Sequence, residues 1–180
     1  MSRLTTEQQQ TIREIFNRHR PGKAFVLDRI PANRLQNARE SHRIGADEEV
    51  IFLYDDTFFN SGRDGIVLTT AGIYGKNAFE EAHHMTYSEF DAVTAGLGAI
   101  TFKDKSKSNF KVSTVSGTTK KTFEVAQALI AFLIQEDVAN LVVTGAKEGQ
   151  IPVKQNWNCT GCGAPTIPSN KFCEYCGSSV

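Results

Sequence analysis

The first twenty residues carry a hydrophobic pattern with the period of an α-helix. The residues that recur on one face of such a helix are Ile12, Ile15, Phe16 and His19. Thr5 is a candidate N-cap, and Gln8 three residues later completes a capping-box pattern. Pro21-Gly22 ends the pattern, because proline lacks an amide donor and glycine is a poor helix former. The sequence therefore predicts a helix over residues 6–19.

A second helix is predicted from Pro31 to about His42. Proline suits the first turn of a helix, where its missing amide proton is not needed. Leu35, Ala38 and His42 would line the buried side of this helix. The two helices together form an N-terminal helical segment, which we place at residues 1–44.

The hydrophobic pattern changes to a period of two between residues 49 and 116. Short runs rich in β-branched and aromatic residues alternate with glycine-containing turns, as in EVIFLYDDT, GIVLTTAGIYGKN, HHMTYSEFDAV and AITFKDKSKSNFKVST. The stretch from Lys105 to Ser108 has the composition of a polar hairpin tip. Patterns of this kind predict an antiparallel sheet or small barrel.

The last long element is a strongly apolar helix from Lys120 to roughly Asn140. Its central stripe consists of Phe123, Ala126, Ile130 and Leu133. We expect so apolar a helix to cover an open side of the sheet or barrel. The longest apolar run, Val125 to Ile134, is well short of the ~20 residues that span a membrane. The predicted fold class is therefore α+β, with N-terminal helices and an antiparallel β-barrel or sandwich capped by a C-terminal helix.

The length of the chain, 180 residues, suits one ordinary domain with a small appendage. The first ten residues, MSRLTTEQQQ, lack the apolar core of a secretory signal, so we expect a cytoplasmic protein. In a reducing compartment, paired cysteines usually indicate metal binding or redox chemistry rather than structural disulfides.

A formal net charge of +0 hides two stretches of opposite charge. Residues 40–64 are rich in aspartate and glutamate, and residues 103–121 are rich in lysine. These lysines are Lys103, Lys105, Lys107, Lys111, Lys120 and Lys121. One hypothesis is that the two stretches form solvated faces of the fold. The other is that the lysines form a basic surface for an anionic partner.

All cysteines of the chain lie near its end, in two Cys-x-x-Cys pairs: Cys159, Cys162, Cys173 and Cys176. Each pair places two thiolates on one side of a tight turn. Two such turns complete a tetrahedron around Zn²⁺, with Zn–S distances of about 2.3 Å. A glycine follows the second cysteine of each pair and tolerates the positive φ that turns amide groups toward sulfur. The spacing predicts one structural zinc ion.

Other uses of four thiols fit this spacing less well. Two disulfides would require an oxidising compartment, and a thioredoxin-like redox centre uses a single Cys-x-x-Cys on a βαβ unit. Mononuclear iron also accepts four thiolates, but in ribbons with a far larger surrounding body. A catalytic zinc requires an open coordination position, which four sulfurs do not leave.

The segments CTGCGA and KFCEYCG resemble the two knuckles of short zinc ribbons found at the ends of many prokaryotic proteins. We place the ribbon at residues 157–180 and a glycine-rich, polar linker at residues 145–156. Because so small a segment cannot bury enough area to fold alone, metal binding must supply on the order of 10 kcal/mol. The ribbon has almost no basic side chains, and these are the main source of affinity for phosphate backbones. Its charge therefore favours protein docking or self-association over nucleic-acid binding.

Residues 47–77 resemble a bacterial domain with a pleckstrin-homology-like (PH-like) fold. The matching positions are Asp55, Asp56, Thr57, Phe59, Ser61, Asp64, Gly65, Leu68, Thr69, Gly72, Ile73, Tyr74, Lys76 and Asn77. The resemblance covers about residues 30–143, and we place the domain at residues 45–144. It departs from the family pattern at Gly75, where a bulky residue is usual, and at His83-His84. It implies a binding scaffold that contacts lipid headgroups, peptides or sister subunits.

We expect most residues of this motif to be structural. Gly65 and Gly72 would be turn glycines, and Tyr74 and Phe59 would be core aromatics. The side chains that we expect to bond to loop backbone are Asp55, Asp56 and Thr57. The pairs Asp55-Asp56, Glu80-Glu81 and His83-His84 resemble an acid–base or metal cluster, but neighbours on a strand point to opposite faces. With no catalytic triad pattern, P-loop or G-x-G-x-x-G motif in view, we expect no enzymatic activity.

The expected function is that of a non-enzymatic, zinc-binding adaptor. In this hypothesis the PH-like domain binds a protein partner or self-associates, and the ribbon docks to another partner or to a second copy. Two alternatives remain open: a nucleic-acid-binding protein that uses the basic stretch at 103–121, and a module that binds anionic lipid through the same lysines.

Overall fold

A computed structural model of the chain describes residues 4–57, 59–115 and 117–145, with side chains described as far as residue 136. The chain divides into two compact units, Met1–Leu141 and Val142–Val180, and the description that follows concerns the first. Apart from Gly145, the predicted linker and the predicted ribbon with its four cysteines lie outside the described residues.

Three α-helices and eight β-strands make up the described residues. In chain order they are α1 (Thr6–His19), β1 (Ala24–Val26), α2 (Ala32–His42), β2 (Val50–Asp55), β3 (Gly65–Thr69), β4 (Gly72–Lys76), β5 (His83–Thr86), β6 (Phe90–Gly96), β7 (Ala99–Asp104), β8 (Asn109–Ser113) and α3 (Thr119–Gly145). A short 3₁₀ turn, Leu27–Arg29, joins β1 to the segment before α2. None of the described helices has the length and apolar character needed to cross a membrane.

Both predicted N-terminal helices are present. The capping box of α1 is confirmed, since the Gln8 amide N–H donates to Thr5 Oγ1 at 3.2 Å and the Thr5 amide donates to the Gln8 side chain at 2.8 Å. In α2, Ala38 and His42 are buried and Leu35 is partly buried, as predicted. Pro31 is the N-cap of α2 rather than a residue of its first turn.

The strands form two separate antiparallel sheets rather than one closed barrel. The five-stranded sheet has the order β1-β2-β3-β4-β5, and the three-stranded sheet has the order β6-β7-β8. The α+β class is therefore confirmed, and the barrel alternative is wrong, because the described strands of one sheet do not pair with those of the other. The sequence did not predict β1, whose three residues pair with β2.

The central strands of the five-stranded sheet, β2 to β4, are buried on both faces, which explains their unbroken apolar runs. Along β2, Phe52 and Tyr54 enter the main core, whereas Leu53 faces a smaller core that includes Ala38 of α2. In the main core, α1 and α3 pack together with both sheets. The three-stranded sheet instead shows strict alternation of buried and exposed residues along β8, because its outer face meets solvent.

Candidate functional site

Five chain connections come together at one end of the two sheets, which we call the loop end. They are residues 20–23, 56–57 with 59–64, 77–82, 97–98, and 114–115 with 117–118. Alternate connections of an antiparallel sheet lie at the same end of its strands, so the β2–β3 and β4–β5 loops are neighbours. Hydrogen bonds made by Asn77 and Thr114 bring the connections of the second sheet to this end.

Asn77, the first residue after β4, joins the two sheets at the loop end. Its side-chain amide donates to the Lys111 carbonyl at 2.8 Å and accepts from the Ser113 amide at 2.8 Å. These bonds occupy backbone groups of β8, an edge strand of its sheet. One residue further on, the Thr114 amide donates to the Gly98 carbonyl at 2.8 Å, which holds the β6–β7 turn beside the same edge.

Tyr54 attaches the β8–α3 connection to the first sheet. Its hydroxyl accepts from the Val115 amide at 2.9 Å and lies 3.1 Å from Thr118 Oγ1. Burial raises the pKa of Tyr54, so the ring stays neutral. On the same side of the loop end, Lys23 Nζ donates to the Thr57 carbonyl at 2.9 Å. The loop end is therefore a hydrogen-bonded assembly of chain segments that are distant in sequence.

Asp55 organises the β2–β3 loop from inside the protein. Its fully buried carboxylate accepts from the amides of Thr57 and Gly62, each at 3.0 Å, and from the Thr57 hydroxyl. The Thr57 hydroxyl oxygen in turn accepts from the Ser61 amide at 2.6 Å. Arg34 of α2 lies 3.9 Å from the carboxylate. The prediction that Asp55 and Thr57 bond to loop backbone is confirmed.

The two predicted turn glycines are strand residues whose missing side chains make room for a neighbouring backbone. A Cβ on Gly65 would lie 1.9 Å from the Tyr54 carbonyl oxygen, and its φ of 132° also favours glycine. A Cβ on Gly72 would lie 2.5 Å from the Met85 carbonyl oxygen. The prediction that both glycines lie in turns is wrong by one residue, because Gly65 is the first residue of β3 and Gly72 is the first residue of β4.

Three large apolar side chains project from separate connections of the loop end. Phe79 and Leu97 are fully exposed, and Phe59 is 87% exposed. The prediction that Phe59 is a core residue is therefore wrong, whereas Tyr74 is buried as predicted. Phe79 has a φ of 65°, a conformation that costs a bulky residue on the order of 1–3 kcal/mol. The fold buries almost none of the surface of Phe79 and Leu97.

Basic residues from the ends of two helices also lie at the loop end. Arg18 and Arg20 come from the end of α1, and Lys120 and Lys121 from the first turn of α3. His19 Nδ1 lies 3.4 Å from Glu124 Oε2, which places the two helix ends side by side. Further exposed basic side chains at or beside the loop end are Arg63 and Lys111.

Acidic residues at the loop end offset only part of this charge. They are Asp56, Asp64, Glu80, Glu81 and Glu124. Asp64 is paired with Lys76 at 2.7 Å, Glu81 with Arg43 at 3.0 Å and Glu124 with Lys120 at 3.8 Å. Burial raises the pKa of the Asp56 carboxyl, which disfavours its charged form.

The six lysines of residues 103–121 do not form one surface. Lys103 and Lys111 lie on the solvent face of the three-stranded sheet. Lys105 and Lys107 occupy the β7–β8 hairpin tip, at the opposite end from Lys120 and Lys121. There the Lys105 amide donates to the Glu89 carbonyl at 2.8 Å, next to the start of β6. A basic stretch in sequence is thus split by a hairpin and a helix start.

The acidic stretch at 40–64 is not simply a solvated face. Asp55 is fully buried, and Glu48 accepts from the hydroxyls of Thr69 at 2.6 Å and Tyr74 at 2.8 Å. Burial, with help from the Glu48 carboxylate, strongly raises the pKa of Tyr74. Asp55 and Glu48 are therefore internal acceptors that hold loops and strands in place, whereas Glu40 and Asp47 are exposed.

The acid–histidine pairs do not converge on one point. His83 stacks on Phe110 and His84 stacks on Tyr74, on opposite faces of the sheet as the strand period requires. Both line a cavity of about 160 Å³ with Glu89 and Asp104, and Asp55 is not among its lining residues. Within residues 4–136, apart from Phe58 and Ser116, no three His, Cys, Asp or Glu side chains are arranged to hold a metal ion.

Comparison with known proteins gives no match: no family model, no curated protein and no solved structure is similar to this chain. The loop end was not predicted from the sequence. A signal for it does exist, since Phe79 in NAFEE and Leu97 in AGLGA are single large apolar residues among turn-forming or small ones. Such residues have no periodic partners and so belong to no predicted core face.

Proposed function

We propose that this chain is a non-enzymatic adaptor whose described domain binds a partner surface through the loop end. The observation that carries the proposal is the exposure of Phe59, Phe79 and Leu97 on three different connections of one hydrogen-bonded end. Singly exposed apolar residues are ordinary on protein surfaces, but their grouping at one end is typical of an interaction site.

The surroundings of the loop end support binding rather than catalysis. The buried Asp55 carboxylate is saturated by backbone and hydroxyl donors, and Asn77 is used to join the sheets. These groups hold the loops in fixed positions, so the apolar tips are presented without a large ordering cost on binding. A preformed surface of this kind suits an adaptor.

The second part of the proposal concerns the end of the chain. Cys159, Cys162, Cys173 and Cys176 would bind one structural Zn²⁺ and so fold a ribbon at residues 157–180. The ribbon would serve as a docking module separate from the loop end. The likeness of the body to a PH-like domain is consistent with this division, because that likeness implies a binding scaffold.

Affinity capture with the full chain tests the proposal. Phe79→Ser combined with Leu97→Ser should remove one set of captured components, and Cys159→Ser should remove another. Asp91→Ser, at an exposed position of β6, serves as the control and should leave both sets unchanged. Circular dichroism would verify that each variant is folded. If both variants captured the same components as the wild type, the adaptor proposal would be wrong.

A further inference from the structure

We infer that the surface recognised by the loop end is an anionic lipid bilayer. In this arrangement Phe79, Leu97 and Phe59 enter the boundary between headgroups and acyl chains, and exposed basic side chains at the same end of the domain contact lipid phosphates. The inference rests on the proposed function, because it names the partner of the same surface.

The spacing of the apolar side chains favours a fluid partner. Each stands on its own connection, and Phe79 and Leu97 are exposed over their whole surface. A rigid protein partner would need a separate pocket for each of them in a fixed relation. A bilayer accepts separated apolar tips at any lateral position, and aromatic side chains are favoured at its interface.

Basic side chains at the loop end fit an anionic surface, and they outnumber the acidic ones, which include Glu80 and Glu81 directly after Phe79. Arg18 and Arg20 are exposed at the end of α1, and Lys120 and Lys121 at the start of α3. Basic residues near a membrane are attracted by its anionic lipids, and this attraction is independent of any one lipid headgroup. Apolar tips and basic side chains on one end give the two signals that stable peripheral binding requires.

Acidic side chains are prominent at the opposite end of the domain. Glu48 and Glu49 precede β2, where Arg39 donates to the Glu48 carbonyl, and Glu89 and Asp104 lie beside the β7–β8 hairpin with Lys105 and Lys107. Near an anionic bilayer this distribution orients the domain with the loop end toward the lipid. Charge and apolar exposure therefore select the same orientation.

Single-stranded nucleic acid is the competing partner, because exposed phenylalanines among basic residues can stack on bases. Leu97 has no ring to stack, and Phe59 and Phe79 stand on separate loops rather than along one groove. Stacking would account for two of the three tips, and insertion into lipid accounts for all three. The observations therefore favour the bilayer.

Vesicle sedimentation with the full chain tests the inference. The probes are vesicles of phosphatidylcholine alone and vesicles with about one third phosphatidylserine, at low and at physiological salt. The wild-type chain should bind the anionic vesicles and release them as salt is added. Phe79→Ser with Leu97→Ser should weaken binding at least about tenfold, and so should Lys120→Gln with Lys121→Gln.

Lys105→Gln with Lys107→Gln is the matched control, since it removes the same charge from the opposite end of the domain. It should leave vesicle binding within about twofold of the wild type. Absence of binding to anionic vesicles at micromolar protein and low salt would overturn the inference. Equal losses in the two lysine variants, or no loss in the Phe79 and Leu97 variant, would also overturn it.

A titration with fluorescent single-stranded DNA completes the test. Binding of DNA that needs Lys120 and Lys121, without binding to vesicles, would overturn the lipid assignment in favour of nucleic acid. Failure on vesicles combined with loss of captured components in the Phe79 and Leu97 variant would remove the bilayer but leave the adaptor proposal standing. Failure in both experiments would remove both.

Discussion

Gly75 of β4 lies directly under Phe110 of β8, so that a Cβ on Gly75 would be 2.4 Å from Phe110 Cε2. Val112 of the same strand is nearly as close, at 2.6 Å from that position. The two sheets therefore approach each other at a residue without a side chain. Side chains of β8 fill the volume that a side chain at this position would occupy.

Gly75→Ala is expected to destabilise the domain by about 2 kcal/mol, because the added methyl group overpacks a well-filled contact. The measurement is the free energy of unfolding from urea denaturation. Gly96→Ala provides the control, since a Cβ at Gly96 meets nothing within 4 Å. That variant should be as stable as the wild type or slightly more stable. Similar losses in both variants would mean that the β4–β8 contact is not the cause.

Asp55→Asn is expected to cost about 3 kcal/mol of stability. The amide retains one acceptor oxygen but turns an NH₂ group toward amide donors that the carboxylate now satisfies. Arg34 also loses its nearest carboxylate. Urea denaturation should show the loss, and Asp91→Asn at an exposed site should stay within about 0.5 kcal/mol of the wild type.

A consequence for the loop end follows from the same residue. Because Asp55 holds the amides of Thr57 and Gly62, its substitution should increase hydrogen exchange in the β2–β3 loop. Exchange in β7, which lies in the other sheet, should change much less. Unchanged protection of residues 56–64 would contradict the role assigned to Asp55.

The elements that the sequence predicted well are those with long periodic patterns. The helix at 6–19 and its capping box needed only local information, and so did the hairpin tip at Lys105–Ser108. The three-residue β1 was missed because its strand conformation depends on pairing with β2, which no local pattern specifies. Phe59 was misplaced because the course of its loop is set by the buried Asp55.

The loop end could not be predicted because contacts between distant segments create it. Asn77 is hydrogen-bonded to Lys111, and the Tyr54 hydroxyl to the Val115 amide, although the residues of each pair are far apart in sequence. The lysines of residues 103–121 were grouped by sequence proximity, but hairpin and helix geometry send them to different places. Arg18 and Arg20 lie at the same end of the domain as Lys120 and Lys121. No sequence pattern links the two arginines to the two lysines.

Stability should fall as the pH decreases below about 6.5, owing to His42. Burial lowers the pKa of His42 from its usual 6.5, although the Ala38 carbonyl partly offsets this, and Lys76 and Asp64 act in opposite directions. Above pH 6.5 the ring is neutral in the folded and the unfolded chain. Below it, the unfolded chain takes up a proton that the folded chain resists, so unfolding is favoured by up to about 1.4 kcal/mol per pH unit.

Denaturation at several values between pH 7.5 and 5.5 measures this effect. His42→Gln should remove most of the slope, because glutamine does not titrate. His83→Gln, at an exposed position on β5, should retain it. A slope that persists in the His42 variant would show that another group is responsible.

The predicted zinc site should behave independently of the described domain. The wild-type chain should hold about one zinc per molecule by elemental analysis, because two Cys-x-x-Cys turns supply four thiolates. Cys159→Ser should lose most of this zinc, whereas Thr160→Ser, one residue away and not a ligand, should keep it. Far less than one zinc per chain in a natively purified sample would contradict the ribbon.

The same variants show whether zinc stabilises only the ribbon or also the described domain. The described core is built from residues between Ile12 and Leu133, so loss of zinc should leave the main unfolding transition of Cys159→Ser within about 0.5 kcal/mol of the wild type. Because metal binding supplies the folding free energy of so small a segment, protease should cleave the variant after residue 145 while sparing the core. A large drop in core stability would instead mean that residues 157–180 pack against the domain, and the ribbon would then be part of the fold rather than a separate docking module.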